Sequence, residues 1–235
     1  MRTESLSVSI DIQKVVVVGG GIMGNGIAQV VASAGLEVTI VDIAEAALEK
    51  AQARITRSLE RLVKSGKLSE SESAQISARI STSTDLAGTA AKSDHAIETV
   101  IEDLDIKGGV LRALDESLPA GAIIASNTSQ FSISALAART QRPALVIGSH
   151  WFNPPPMMDL IELIRGVETS DSTLQTALVL AERYGKRTVV CEKDTPGFIT
   201  SRLIIALGLE AARIVEEGIA SVEDVNLACV KAFNH

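Results

Sequence analysis

Apolar positions along the chain follow two alternating rhythms. Val15–Val18 is an unbroken β-branched run, the pattern of a strand buried on both faces of a parallel sheet. Ile22–Ala34 reads as a helix and Glu37–Asp42 (EVTIVD) as a second strand. Further strands are predicted at Arg79–Thr82, His95–Val100, Ala122–Ala125, Leu145–Ser149, Leu160–Ile164 and Thr188–Cys191, with helical stretches between most of them. That order predicts a doubly wound α/β domain built on a mostly parallel sheet. Asp194-Thr195-Pro196-Gly197 punctuates the chain after the last strand. Beyond it, Phe198–Glu217 and Ser221–Ala232 read as helices, with Gly218 a C-terminal stop. The expected division is one α/β domain over residues 1–194, with a helical arm at about 45–80, and the start of an all-helical domain over 195–235.

The turn after the first strand carries chemistry. VVVVGGGIMGNGIA contains G-x-G-x-x-G at Gly19, Gly21 and Gly24, and Asp42 follows Gly24 by 18 residues at the end of the second strand. A strand before, a helix after and an acid at that distance are the context of a dinucleotide-binding turn. Gly19 permits the tight turn, Gly21 lets the backbone approach a pyrophosphate, and Gly24 lets the helix pack closely. A carboxylate at Asp42 accepts hydrogen bonds from ribose hydroxyls and repels a 2′-phosphate, and no Arg follows in Ile43-Ala44-Glu45. NAD is the expected cofactor, held by Gly19, Gly21, Ile22, Met23, Gly24 and Asp42.

Composition narrows the partners. Hydrophobic residues make up 46% of the 235 and aromatics only 3%, so the core must rest on Ala, Val, Ile and Leu. A net charge of -7 argues against nucleic acid or an anionic membrane as a general partner. No apolar run approaches the roughly 20 residues of a membrane span. Cys191 and Cys229 form neither a zinc pattern nor a disulfide framework, no metal site is expected, and a reducing cytoplasm is the expected compartment. The first 13 residues read as a short frayed tail.

One of only three histidines lies in SHWFNPPPMMDLIEL. His150 falls at the C-terminal end of a predicted strand, the edge where open α/β sheets bind ligands. Pro154, Pro155 and Pro156 stiffen the turn after it, and Glu162 lies on the next strand, where it can return beside the imidazole. Alcohol oxidation sends hydride to a nicotinamide and needs a base for the hydroxyl proton, a role that suits histidine near neutral pH. The same spacing also fits a turn histidine bonded to backbone, and spacing alone leaves both open.

Taken together, GGGIMGNGIA, SNTSQFSI, SHWFNPPPMMDLIELI and KDTPGFITSRL occur in an order and at separations that resemble the 3-hydroxyacyl-CoA dehydrogenase family, from about Lys14 to His235. The resemblance implies a Rossmann-like domain and reversible NAD-dependent oxidation of L-3-hydroxyacyl-CoA to 3-ketoacyl-CoA in fatty acid metabolism. It implies His150 as general base, Glu162 as its partner, Ser129 on the reacting oxygen, and Asn153 holding substrate and nicotinamide. Glu102 and Lys107 match positions lining the nicotinamide and substrate side of the cleft. Ser58 and Lys64 fall at or beside acyl-CoA contacts, and Ser201 falls at a substrate position. His95 and His235 match no catalytic position and are expected to be structural or exposed. The family continues past AFNH into helices that cover the cleft and complete a homodimer.

Independently of the resemblance, Lys50, Arg54, Arg57, Arg61 and Lys64 are spaced 4, 3, 4, 3 along the helix Ala46–Lys64, opposite Leu48, Ala51, Ile55, Leu59 and Leu62. This basic stripe suits the phosphates of coenzyme A, or it is a solvated face. Three positions depart from the family pattern: Ser201 stands where Asn is usual, HWF replaces HFF, and Asp159 stands where a basic residue is frequent. They keep two alternatives in view, an NAD-dependent dehydrogenase of a free hydroxy acid or polyol and a non-catalytic NAD-binding protein.

Overall fold

The β-branched run near the N-terminus lies inside the sheet, with strands on both sides. The computed structural model describes residues 12–233; most of the tail expected over residues 1–13, and His235, lie outside them. In chain order the first half comprises β1 (Lys14–Val18), α1 (Ile22–Ser33), β2 (Glu37–Val41), α2 (Glu45–Lys64), α3 (Glu70–Ala78), β3 (Ile80–Ser83), α4 (Leu86–Ala90) and β4 (His95–Glu98). There follow α5 (Leu104–Ser117), β5 (Ile123–Ser126), α6 (Ile133–Ala137), β6 (Val146–Trp151), β7 (Leu160–Ile164), α7 (Asp171–Arg183) and β8 (Arg187–Cys191). Last come α8 (Thr200–Glu216) and α9 (Val222–Phe233).

The eight strands form one sheet in the order β3-β2-β1-β4-β5-β6-β7-β8. This is the expected doubly wound sheet. Every neighbouring pair is parallel except β6 and β7, where Gly148, Ser149, His150 and Trp151 face Ile164, Leu163, Glu162 and Ile161. That antiparallel pairing carries β6 two residues beyond the predicted end at Ser149, so His150 is a ladder residue and not a turn residue. Leu145, assigned from its pattern to the strand, sits instead in a 3-10 turn opened by Pro143.

Val15, Val17, Val38 and Ile40 pack with Ile27 and Val31 of α1 and with Leu48, Ala51, Ile55 and Leu59 of α2. Burying such side chains is worth about 1.5–3 kcal/mol each, an upper estimate for an extended unfolded chain. Because α2 buries only this apolar stripe, its basic face stays in solvent. Leu111 and Leu114 of α5 and Ile133 and Leu136 of α6 are also fully buried.

The chain divides into two compact units, the first ending at Pro196 and the second beginning at Gly197. In the second, α8 stops at Gly218, whose φ of +69° favours glycine, and the Ser221 hydroxyl accepts the Asp224 N–H to start α9. Leu203, Ile205, Leu209, Leu227 and Val230 on these helices are exposed. No described helix is long and apolar enough to cross a membrane.

Candidate active site

The turn between β1 and α1 is fixed from below. Gly19 has φ +108°, donates its N–H to the Val41 carbonyl at 2.7 Å, and lies so close to Thr99 that a Cβ would sit 2.8 Å from the Thr99 carbonyl oxygen. A Cβ on Gly24 would overlap the Gly19 carbonyl oxygen. Nothing lies within 4 Å of where a Gly21 side chain would project. The first turn of α1 has no side-chain cap and no acidic residue, so its N–H groups and positive end are left for an anion. Asp42 accepts the Gly20 N–H at 2.8 Å and the Ala44 N–H at 3.0 Å, one on each carboxylate oxygen. The sequence pointed to ribose recognition by Asp42 but not to this bracing of the glycine turn. Each oxygen retains a lone pair for a ribose hydroxyl. The residues present fit NAD.

The catalytic side opens at the C-terminal ends of β5 and β6, which are neighbours in the sheet. His150 and Glu162 stand directly opposite each other in the β6–β7 ladder, and imidazole Nδ1 lies 3.1 Å from Glu162 Oε2. Glu162 is fully buried and His150 nearly so. With Nδ1 held by a carboxylate, Nε2 is the atom on the opposite side of the ring, the arrangement that fixes a histidine base in one tautomer. Phe152 packs on the imidazole with ring centroids 4.7 Å apart. Asn127 joins the two strand ends by accepting the Trp151 N–H at 2.9 Å.

Behind the loop after β5 lies a charged network that the sequence did not reveal. Glu98, at the end of β4, accepts the Val100 N–H at 2.7 Å, the Ser126 hydroxyl at 2.7 Å and the Lys107 ammonium at 2.9 Å. Lys107 also reaches Glu102 at 3.1 Å and the Val100 carbonyl at 3.2 Å. Glu102 then gathers the Thr128 hydroxyl at 2.5 Å, the Ser129 N–H at 3.0 Å and the Gln130 N–H at 3.2 Å. Burial by itself would raise the Glu102 carboxyl, but these hydrogen bonds and the Lys107 charge hold it below the usual carboxylate value. Lys107 was expected to line the cleft; it is 1% exposed between two carboxylates. A buried ammonium needs such neutralisation, so Lys107 reaches the cleft through Glu102. The Ser129 hydroxyl makes no hydrogen bond to another described residue.

A cleft of about 750 Å³ runs between α1, α2 and the loop after β6. Arg54, Arg57, Ser58, Arg61 and Lys64 line one wall, Ile22, Asn25, Gly26 and Gln29 another, and Asn153 to Met157 a third. Lys50 of the predicted stripe is not among the lining residues. Leu62, grouped with the apolar stripe, is half-buried in the cleft wall. Lys186 pins the third wall, its ammonium donating to the Pro155 carbonyl at 2.8 Å and the Met158 carbonyl at 2.7 Å. Burial lowers the Lys186 ammonium below the usual lysine value, against the pull of Asp159. Nothing in the sequence marked Lys186, because its partners are backbone carbonyls more than 25 residues away. Ser201 lies in the first turn of α8 in the second unit. Among the described residues no group of three or more His, Cys, Asp or Glu is placed to hold a metal.

Residues 14–195 match the family described as 3-hydroxyacyl-CoA dehydrogenase, NAD binding domain, and residues 197–235 match the C-terminal domain of the same family. The chain belongs to the 3-hydroxyacyl-CoA dehydrogenase family. It is 40% identical over 226 residues to a 3-hydroxybutyryl-CoA dehydrogenase of Mycobacterium tuberculosis, covering 95% of this chain and 78% of that one. The crystal structure of (S)-3-hydroxybutyryl-CoA dehydrogenase from Ralstonia eutropha superposes with a TM-score of 0.91 at 42% identity, over 96% of this chain and 79% of that one. A further family-like structure, an NAD-dependent 5-dehydrogenase of a pyridine carboxylic acid, has a TM-score of 0.85 at 32% identity, over 95% of this chain and 71% of that one. In this 3-hydroxyacyl-CoA dehydrogenase family chain, NAD is the cofactor.

Proposed function

We propose that this protein catalyses the reversible NAD-dependent oxidation of an L-3-hydroxyacyl-CoA to the 3-ketoacyl-CoA. The observation that carries the reading is the His150–Glu162 pair, held face to face in the sheet at the ligand-binding edge of the nucleotide domain. The glycine turn over residues 19–24 and Asp42 would hold NAD, which would supply the acceptor for the C3 hydride. His150 takes the 3-hydroxyl proton at Nε2, and Glu162 holds the Nδ1 proton and balances the imidazolium that results. In reduction, protonated His150 and the Ser129 hydroxyl polarise the ketone oxygen. Asn153, in the loop just beyond, holds substrate and nicotinamide. Glu102 orders the Ser129 loop beside the nicotinamide, and Ser58, Arg54, Arg57, Arg61 and Lys64 receive the coenzyme A end.

The same reading makes residues 1–194 the nucleotide domain and 195–235 a helical unit that pairs two copies, which the exposed apolar side chains of α8 and α9 support. Cys191 and Cys229 are both free thiols, which supports a cytoplasmic setting; we place the reaction in fatty acid metabolism.

The test is NADH oxidation with acetoacetyl-CoA beside free acetoacetate. Wild-type turnover should require the thioester, and His150→Ala should lower kcat by about 10²–10⁴-fold. Wild-type turnover that survives in His150→Ala would remove the mechanism, and no turnover in wild type would favour a protein that only binds NAD. A second reading, oxidation of a free hydroxy acid, draws support from the 32% identity to the pyridine carboxylic acid dehydrogenase; turnover with free acetoacetate alone would favour it.

A further inference from the structure

Gln29 brings a nearly buried polar side chain to the wall of the cleft. It lines the cleft from α1, one turn beyond Gly26, on the helix face that also presents Ile22 and Asn25. Gln29 is 3% exposed, and its carboxamide has no hydrogen-bond partner among the described residues. The group is not sealed in: the fully enclosed, unpartnered side-chain atoms among those residues are Tyr184 Oη and Asp194 Oδ1. Its amide keeps access to solvent, and the residue lines the cleft. A ligand that fills the cleft would cut the carboxamide off from water, and leaving it unpaired would then be costly.

We infer that Gln29 is a substrate-reading residue whose carboxamide pairs with an amide of the pantetheine arm. This rests on the coenzyme A reading of the cleft. The cleft separates two chemistries: cations on α2 suit phosphates, whereas the floor near Gln29 is Ile22, Gly26 and Pro155, suited to an uncharged chain. A carboxamide brings one acceptor and two donors. That set complements a secondary amide, which has one N–H and one carbonyl, and lends no charge to a phosphate. An uncharged arm with amides set between phosphates and a thioester is the ligand part that meets both walls.

The experiment measures binding by titration calorimetry on the full chain, using coenzyme A, pantetheine and adenosine 3′,5′-bisphosphate as separate probes, with NADH as a control. Gln29→Met keeps length and shape while removing the polar atoms, and its thermal midpoint verifies that the fold is retained. Affinity for coenzyme A and pantetheine should fall roughly 3- to 10-fold, the worth of one hydrogen bond. Affinity for the bisphosphate and NADH should stay at the wild-type value. Gln29→Asn, shorter by one methylene, should not restore the lost affinity, because its amide no longer reaches. Unchanged pantetheine affinity in Gln29→Met overturns the assignment and leaves a solvated amide. A loss confined to NADH assigns Gln29 to the cofactor instead. If wild type binds neither coenzyme A nor the bisphosphate, the coenzyme A reading itself falls, and the Gln29 assignment with it.

Discussion

Two histidines on the same sheet are set to opposite tasks by their surroundings. His150 meets a buried carboxylate, whereas His95 on β4 is enclosed by apolar side chains and its Nδ1 pairs with the Ile123 carbonyl at 3.0 Å. Burial drives the His95 imidazole down to about 4, outweighing the backbone hydrogen bond, so it stays neutral in the folded protein. The unfolded chain takes up a proton near 6.5, and between 6.5 and 4 it binds more protons than the folded one. Stability is therefore lost as pH falls through that window, by on the order of 3 kcal/mol for a gap of this size. Chemical denaturation of His95→Leu should show a flatter dependence on pH between 4 and 6.5 than wild type; an unchanged slope would mean that other groups set it. His150 and Glu162 were legible because their twelve-residue spacing fits a return strand. The family resemblance singled out Glu102 and Lys107, but Glu98 and the pairing of the three were not legible, because the pairing depends on the end of β4 and the start of α5 meeting in a buried site.

At the scale of the element, α1 borders both the glycine turn and the cleft. It starts directly after the glycine turn at residues 19–21 and carries Gly24 in its first turn, and its flank forms a wall of the cleft. Gly26 belongs to that flank: a Cβ there would sit 2.8 Å from Pro155 Cδ, with the proline ring fixed and Lys186 holding its carbonyl. Gly26→Ala should therefore destabilise the protein. Overpacking typically costs about 1–3 kcal/mol, more than the roughly 1 kcal/mol an alanine gains in a helix interior. Urea denaturation measures the difference, and a more stable variant would show that the corner yields. The glycine fingerprint was readable because its spacing belongs to a known turn. Gly26 has no such local signature, since its neighbour comes from Pro155. Strand ends were misplaced by one or two residues for the same reason: the β6 terminus is decided by its partner in the ladder.

For the whole molecule, a net charge of -7 and a basic cleft coexist because α2 segregates its cations on one face. Electrostatic attraction at that exposed wall is screened by salt, with a Debye length of about 10 Å at 0.1 M. Raising ionic strength should increase KM several-fold for acetoacetyl-CoA and leave it unchanged for acetoacetyl-pantetheine, which lacks the phosphates. Replacing Arg54, Arg57 and Arg61 with Gln should abolish the difference. Equal salt sensitivity of the two substrates would mean that the stripe is only a solvated face. The hydrophobic rhythm made the sheet and its order of elements legible, whereas the cleft required α1, α2 and a loop some 90 residues further on to converge. The β6–β7 ladder has one further consequence. His150 and Glu162 are joined by backbone register, while the loop between their strands, 152–159, lies outside that register. Heritable change can lengthen, shorten or rewrite this loop, and with it the clientele of the enzyme, while the proton-handling pair passes intact from one descendant to the next.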